Sequence, residues 1–447
     1  MTDDGFITTL LKPGDEAYDE TRALWNGMID KRPAAIAQCS TLADVIDAVN
    51  YARENGLRVT ARGGGHGVAG NALNDGGLVV DLSAMKAIDV DAAAKTARAE
   101  PGVTLGELDA ATQAHGLATP LGVVSQTGIA GLTLGGGIGW LRRKHGLSAD
   151  NVISFELVTA DGRHVTASDS ENADLYWGLR GGGAGLGAVT SFEYRLHDLG
   201  PEVMFAFVLY PGERAHEILR FQEEFMSEAP DEVSPLSFLG RVPHADDFPA
   251  ESHGTPYIAL LALYAGDVAE GHRVLAPLRE LGEPIADFSG SMPYTAAQTV
   301  LDADYPDGWF YYWKSANLER LDDEAIARLV AHNEAAPSHH STVDVWYHGG
   351  AMGRVDREAT AFGERPAYLI GVEANWEERA DADANIAWAR ATVDDLAPFS
   401  TGGAYLNFPG LFEEGEQLKR ASHGDRNYER LKALRRECDP RGLFAAS

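Results

Sequence analysis

Leu42, Val45, Ile46, Val49 and Ala52 recur at helical spacing and predict an amphipathic helix over 42–54, capped at Ser40-Thr41 and stopped by Asn55-Gly56. Short apolar runs around it read as strands: Pro33 to Ala37, Arg58 to Arg62, Gly76 to Leu82 and Thr96 to Glu100. Helix resumes from Thr104 to His115, past the break at Pro101-Gly102. Between 120 and 190 glycine becomes dense, with a strand-like stretch from Val152 to Thr159 set between two clusters. Beyond about 200 the clusters stop. Strands at Val203 to Tyr210, Ile258 to Tyr264, Val343 to Tyr347 and Tyr368 to Ala374 alternate there with helices near 213–227 and 322–335, the pattern of a sheet with helices on one side. The tail from Glu413 to Cys438 predicts two short helices that stop at Asp439-Pro440.

Composition narrows the class. With 447 residues the chain is long enough for two or three domains. A net charge of -30, from 67 acidic against 37 basic residues spread along the chain, argues against nucleic acid and anionic membrane as partners. It fits a solvated surface better than adaptation to high salt. The two cysteines, Cys39 and Cys438, build neither a disulfide framework nor a metal site. The acidic start lacks a leader pattern and no apolar stretch reaches membrane-spanning length, so a cytoplasmic location is expected.

Candidate chemistry lies in the glycines. Arg62-Gly63-Gly64-Gly65-His66-Gly67 follows a strand and precedes no convincing helix. Such a run lets successive N–H groups converge on an anion such as a pyrophosphate, and His66 stands unshielded among them. The second run has glycines at 128, 131, 135, 136, 137 and 139, too dense for packing alone, and it implies close backbone approach to something flat or charged. Neither a Rossmann fingerprint nor a Walker loop is present.

Together these segments resemble the FAD-binding module of the vanillyl-alcohol-oxidase (PCMH-type) superfamily, specifically the berberine-bridge-enzyme-like FAD-linked oxidases. Gly181-Gly182-Gly183 through Val189 is similar to that family's third loop, Tyr405-Leu406-Asn407-Phe408 to its Tyr-x-Asn-Tyr strand, and Asp439-Pro440-Arg441-Gly442-Leu443-Phe444 to its closing signature. The resemblance implies an α+β chain: a two-part FAD-binding module over 1–200 (core about 30–198), a substrate domain with a helix-covered antiparallel sheet over 201–400, and a segment over 401–447 returning to the module. It implies FAD bound by Arg62, Gly63, Gly64, Gly65, His66, Gly67 and Asn71, by Val124, Thr127, Gly128, Gly131, Thr133, Gly135, Gly136 and Gly139, and by Val189, Tyr405 and Asn407. His66 is the implied point of covalent attachment.

Two departures limit what carries over. A second, cysteinyl attachment point is replaced by Val124, so the link is single, and the family's tyrosine base is replaced by Phe408. Thr127, at the position associated with oxygen access, leaves oxygen or another electron acceptor open. The implied activity is oxidation of a small alcohol, amine or phenol. A dehydrogenase or reductase with another electron partner, or a noncatalytic flavin binder, are the alternatives.

Three residues are candidates for moving the substrate proton. Tyr405, beside Asn407, is the first, as a phenol acidified near a flavin ring or as a pocket-shaping aromatic. Glu373 is the second. Alternation puts Leu369, Gly371, Glu373 and Asn375 on one strand face and Tyr368, Ile370, Val372 and Ala374 on the other, which points to a wet pocket on the polar side. His348, at a strand end, is the third, although a lone histidine there is more often structural. Tyr311, Tyr312 and Trp313 read as core or pocket wall.

Overall fold

The computed structural model describes residues 9–411 and 415–444. The predicted first helix spans Leu42–Asn55. Thr41 caps it in a reciprocal box with Asp44, and left-handed Gly56 ends it. It lies against a small sheet in which Ala35–Gln38, Leu78–Asp81 and Val59–Arg62 run parallel, with Thr9–Leu11 antiparallel at one edge. Val45, Val49 and Ala52 fill the interface with Val59, Leu78 and Val80. The closing segment completes this unit: Val59 N–H donates to the Leu443 carbonyl, and the Asp439 carboxylate accepts from the Leu443 and Phe444 amides.

A second sheet is wholly antiparallel, in the order Ile88–Asp91, Thr96–Ala99, Ala188–Arg195, Val152–Val158, His164–Ser168. The tail helix Asp425–Cys438 packs Leu431 and Leu434 into its core, and Arg435 donates to the Gly182 carbonyl of the third glycine cluster.

The largest sheet is antiparallel and begins at Glu202–Pro211. That strand is followed by Pro256–Tyr264, Val233–Arg241, Thr342–Tyr347, Tyr368–Trp376 and Phe310–Leu318, with Ala286–Asp287 and Gly290–Pro293 also pairing on the first strand. One face carries Tyr312, Val343, Val345, Ile370 and Val372 under the helices Ala215–Glu228, Val268–Arg279, Asp323–Glu334 and Ala382–Leu396. The other face carries Phe205, Phe238, Tyr257, Tyr311, Trp313 and Trp346, and packs on Val68, Val124, Ile138 and Tyr405. The alternation read from 368–375 therefore separates a dry face from the face turned toward the glycine loops.

Two predicted features change form. A six-residue helix, Ile129–Leu134, holds Gly131 inside the second glycine run. The 405–408 segment is a turn closed by Phe408 N–H to the Tyr405 carbonyl, not a strand. The helix forms because Gly131 is its only helix-breaking residue, and the turn forms because Tyr405 and Asn407 must both reach the second loop. Among the described residues no helix is long and apolar enough to cross a membrane.

A buried acid joins the second sheet's helix to the large sheet's flank. Gln298 Nε2 donates to Asp109 Oδ2 at 2.7 Å, while Asp109 Oδ1 and Gln298 Oε1 have no partner. A proton on Asp109 satisfies both orphans at once, because its O–H then donates back to the amide oxygen. Burial pushes this carboxyl up to about 7. An exposed aspartate ionises near pH ~4. Between those values the folded state binds the extra proton, so stability falls as pH rises through that window and levels above it. Asp109→Asn reproduces both hydrogen bonds without the charge. It is expected to raise the melting temperature at pH 8, by on the order of 1–3 kcal/mol in stability, and to change little near pH 4.

Candidate active site

One cavity of about 540 Å³ lies between the two glycine-bearing sheets and the inner face of the large sheet. Gly63, Gly64, Gly65, His66, Gly67 and Asn71 line it, as do Val124, Thr127, Gly128, Gly131, Gly135 and Val189. Tyr405, Asn407 and Glu373 close it from the other side. The first two loops cross at van der Waals limits. A Cβ on Gly64 would lie 2.7 Å from the Gly128 Cα, and one on Gly128 would lie 2.6 Å from the Gly64 nitrogen. Asn407 docks on the second loop so closely that a Cβ on Gly135 would meet its Oδ1 at 1.9 Å.

Five predicted residues are not brought to the cavity. Arg62 turns its guanidinium to the Thr21 carbonyl. Thr133 is fully buried on the far side of its helix, its hydroxyl 2.8 Å from that of Tyr194. Gly136 and Gly139 make room for the chain itself: a Cβ would strike the Phe362 ring at 2.4 Å or the Leu121 carbonyl at 1.9 Å. His348 is structural. Its Nδ1 lies 3.1 Å from the Pro366 carbonyl, and burial, with Arg142 and Arg365 nearby, holds its pKa down at about 3.

His66 faces the cavity with almost no hydrogen bonding. Nε2 is buried without a partner, while Nδ1 lies 3.5 Å from the Thr127 hydroxyl and the ring also meets the residue's own backbone. Burial depresses its pKa to about 4, so it is neutral with a lone pair available. Its ring stacks on Trp25 at 4.1 Å, and Trp25 stacks on Tyr311 at 3.7 Å. Stacked aromatic pairs contribute about 0.5–1.5 kcal/mol each beyond their burial.

Opposite lies a wall that is acidic and aromatic. Tyr305 donates to Glu373 Oε2 at 2.7 Å, and Glu373 is hydrogen-bonded to Asp344, one strand over. Burial raises both carboxyls, Asp344 to about 7; the Asp344 charge raises Glu373 further, whereas the hydrogen bond from Glu373 favours the Asp344 charge, so the two share a proton. Burial also raises nearby Asp304, to about 6. Phe408 sits beside this pair: a Cβ on Gly371 would touch Asp344 Cβ at 3.2 Å, the Phe408 ring at 3.5 Å and Glu373 Oε1 at 3.7 Å. Asp344 escaped the sequence reading, though alternation along Thr342–Tyr347 already sets it with Trp346 against Val343 and Val345.

Tyr405 is not acidified by the chain. Burial raises its pKa against the opposing effect of its hydrogen bonds, in which Asn407 Nδ2 at 2.8 Å and the Ile138 amide at 3.4 Å donate to the phenol oxygen. With its oxygen accepting twice, the phenol is arranged to donate its own proton.

A family model described as an FAD binding domain matches residues 33–168. The (R)-6-hydroxynicotine oxidase of Paenarthrobacter nicotinovorans is 29% identical over 97% of this chain and 94% of its own length. The FAD-linked oxidoreductase YgaK of Bacillus subtilis is 30% identical over 96% of this chain and 94% of its own. The chain belongs to the FAD-linked oxidoreductases. This oxidoreductase also superposes on the berberine-bridge-like protein 1 of Physcomitrella patens with a TM-score of 0.87, at 25% identity over 98% of this chain and 96% of that one. The PCMH-type α+β fold and the berberine-bridge-like resemblance are thereby borne out.

The oxidoreductase's residues fit FAD. Glycine backbone without side chains lines one end of the cavity, and the orphaned Asn71 Oδ1 and His66 Nε2 mark polar atoms with no protein partner. Gly131 offers a discriminating test, because a Cβ there meets nothing within 4 Å. Gly131→Ala should stabilise the flavin-free protein by about 0.5–1 kcal/mol through helix propensity. It should also lower flavin content, measured as flavin absorbance per protein. Unchanged flavin content would remove Gly131 from the binding surface.

Proposed function

We propose that this protein is an oxidase carrying FAD on His66 alone, acting on a small alcohol, amine or phenol, with residues 1–200 and 401–447 serving the cofactor and 201–400 the substrate. When bound, FAD supplies the acceptor, at N5, for a hydride equivalent. The chain's part is to hold the substrate and take its proton. The observation that carries this reading is the Asp344–Glu373 pair beside Phe408: where the related enzymes offer a tyrosine, this chain has a phenyl ring backed by two carboxyls sharing a proton.

With its pKa raised by burial toward neutrality, Asp344 is suited to accept a proton from a hydroxyl or ammonium group. The Thr342 hydroxyl and Glu373, itself held by Tyr305, fix it in place by hydrogen bonds, and Tyr405 is the donor that orients a substrate acceptor atom. Trp309, Trp313, Trp346 and Tyr257 give the same cavity flat apolar walls. Acid groups in an aromatic box favour, within this range, a ring-bearing amine, a class in keeping with the relative named for 6-hydroxynicotine.

Two experiments test it. After acid precipitation, flavin fluorescence should remain with the wild-type polypeptide and be lost with His66→Ala; free flavin from the wild type would end the covalent reading. Because the base works ionised, kcat/KM should fall as pH drops below about 7. Asp344→Asn should reduce kcat/KM by roughly 10²–10⁴ and abolish that acid limb. An Asp344→Asn enzyme with wild-type turnover and pH profile would place the base elsewhere.

A further inference from the structure

The segment Leu24 to Met28 lies outside every motif, yet it enters between the first flavin loop and the large sheet. Asn26 Nδ2 donates both to the Val68 carbonyl in that loop, at 2.7 Å, and to the Tyr311 carbonyl in the sheet, at 2.8 Å. Its Oδ1 accepts from the Tyr311 amide at 3.1 Å. Trp25 is fixed just as firmly: its Nε1 donates to the Tyr305 carbonyl at 2.8 Å, and its ring is pressed between Tyr311 and His66, nearly parallel to each, at 14° and 15°. Buried to 4% exposure, it has no freedom to turn.

Building on the reading that His66 carries the flavin, we infer that Trp25 is the positioning residue for that attachment. A ring nitrogen that forms a carbon bond must be neutral and must keep its lone pair free. A strong hydrogen bond would orient the imidazole at the expense of one of its nitrogens. Stacking orients it by its face and leaves both nitrogens available. His66 has this arrangement: one nitrogen orphaned, the other in a 3.5 Å contact, and the ring plane set by Trp25.

In the attachment, a His66 nitrogen bonds to a methyl carbon of the flavin ring system. One C–H proton and the imidazole N–H proton leave, and the two electrons released reduce molecular oxygen to hydrogen peroxide. Trp25 takes no part in this electron balance. It sets the angle of approach.

The test compares full-length wild type, Trp25→Leu, Trp25→Phe and His66→Ala, each expressed with FAD and isolated as folded, flavin-containing protein. The readout is acid-stable flavin divided by total flavin, which normalises for any loss of folded protein. Wild type should hold nearly all flavin acid-stably and His66→Ala none, Trp25→Phe a reduced share because it lacks the anchoring N–H, and Trp25→Leu less than half of the wild-type share. Trp25→Leu equal to wild type would overturn the inference. If Trp25→Leu yields no folded protein, Trp25→Phe decides: a share below wild type supports the role and an equal share overturns it. Acid release from the wild type is a separate outcome, which removes the covalent reading and the inference with it.

Discussion

Backbone meets backbone where Gly64 of the first loop crosses Gly128 of the second, with no space for a methyl group on either side. Much follows from that crossing. It brings the loop of the parallel sheet against the helix start of the second glycine run by main chain, and both glycines line the cavity. Side chains elsewhere then serve to hold the crossing in place. Ser125, in the second loop, donates from its amide and hydroxyl to Asp302 on the large sheet's flank, and Asn407 presses on Gly135 from the tail.

The large sheet contributes through the difference between its faces. Burying Asp344 and Glu373 on one of them, with Asp304 close by in the turn at 302–304, is costly, and the chain limits the cost by sharing a proton and adding the Tyr305 hydrogen bond. The result is a wall whose charge adjusts to what it meets. Phe408 fits this arrangement: a phenol in its place would be one more acid against a group of acids already difficult to ionise.

Local pattern revealed the elements and only part of the site. The helix at 42–55 and the two faces of 368–376 were legible because each depends on periodicity within a single segment. The glycine runs were legible as loops, but not which glycine served which purpose. Gly131 looks into the cavity, whereas Gly128, Gly136 and Gly139 yield to Gly64, Phe362 and Leu121, partners that only the folded chain brings near. Tyr405 and Asn407 lie side by side, hydrogen-bonded to each other, but on a turn rather than a strand. Trp25 and Asp344 escaped notice for the same reason: a lone tryptophan or aspartate carries no signature until tertiary packing gives it neighbours. His348 had the reverse fate, a promising residue type whose burial beside two arginines suits it to support rather than proton transfer.

The bracing of the amino-terminal segment constrains how the protein is made. Trp25 and Asn26 leave the ribosome early, but the Tyr311 they pack against follows 285 residues after Asn26. The strand bearing Val59 waits longer still, since Leu443 and Phe444 complete its surroundings. Contacts so distant along the chain form late. A nascent chain therefore offers no finished berth for the cofactor until its last residues have emerged.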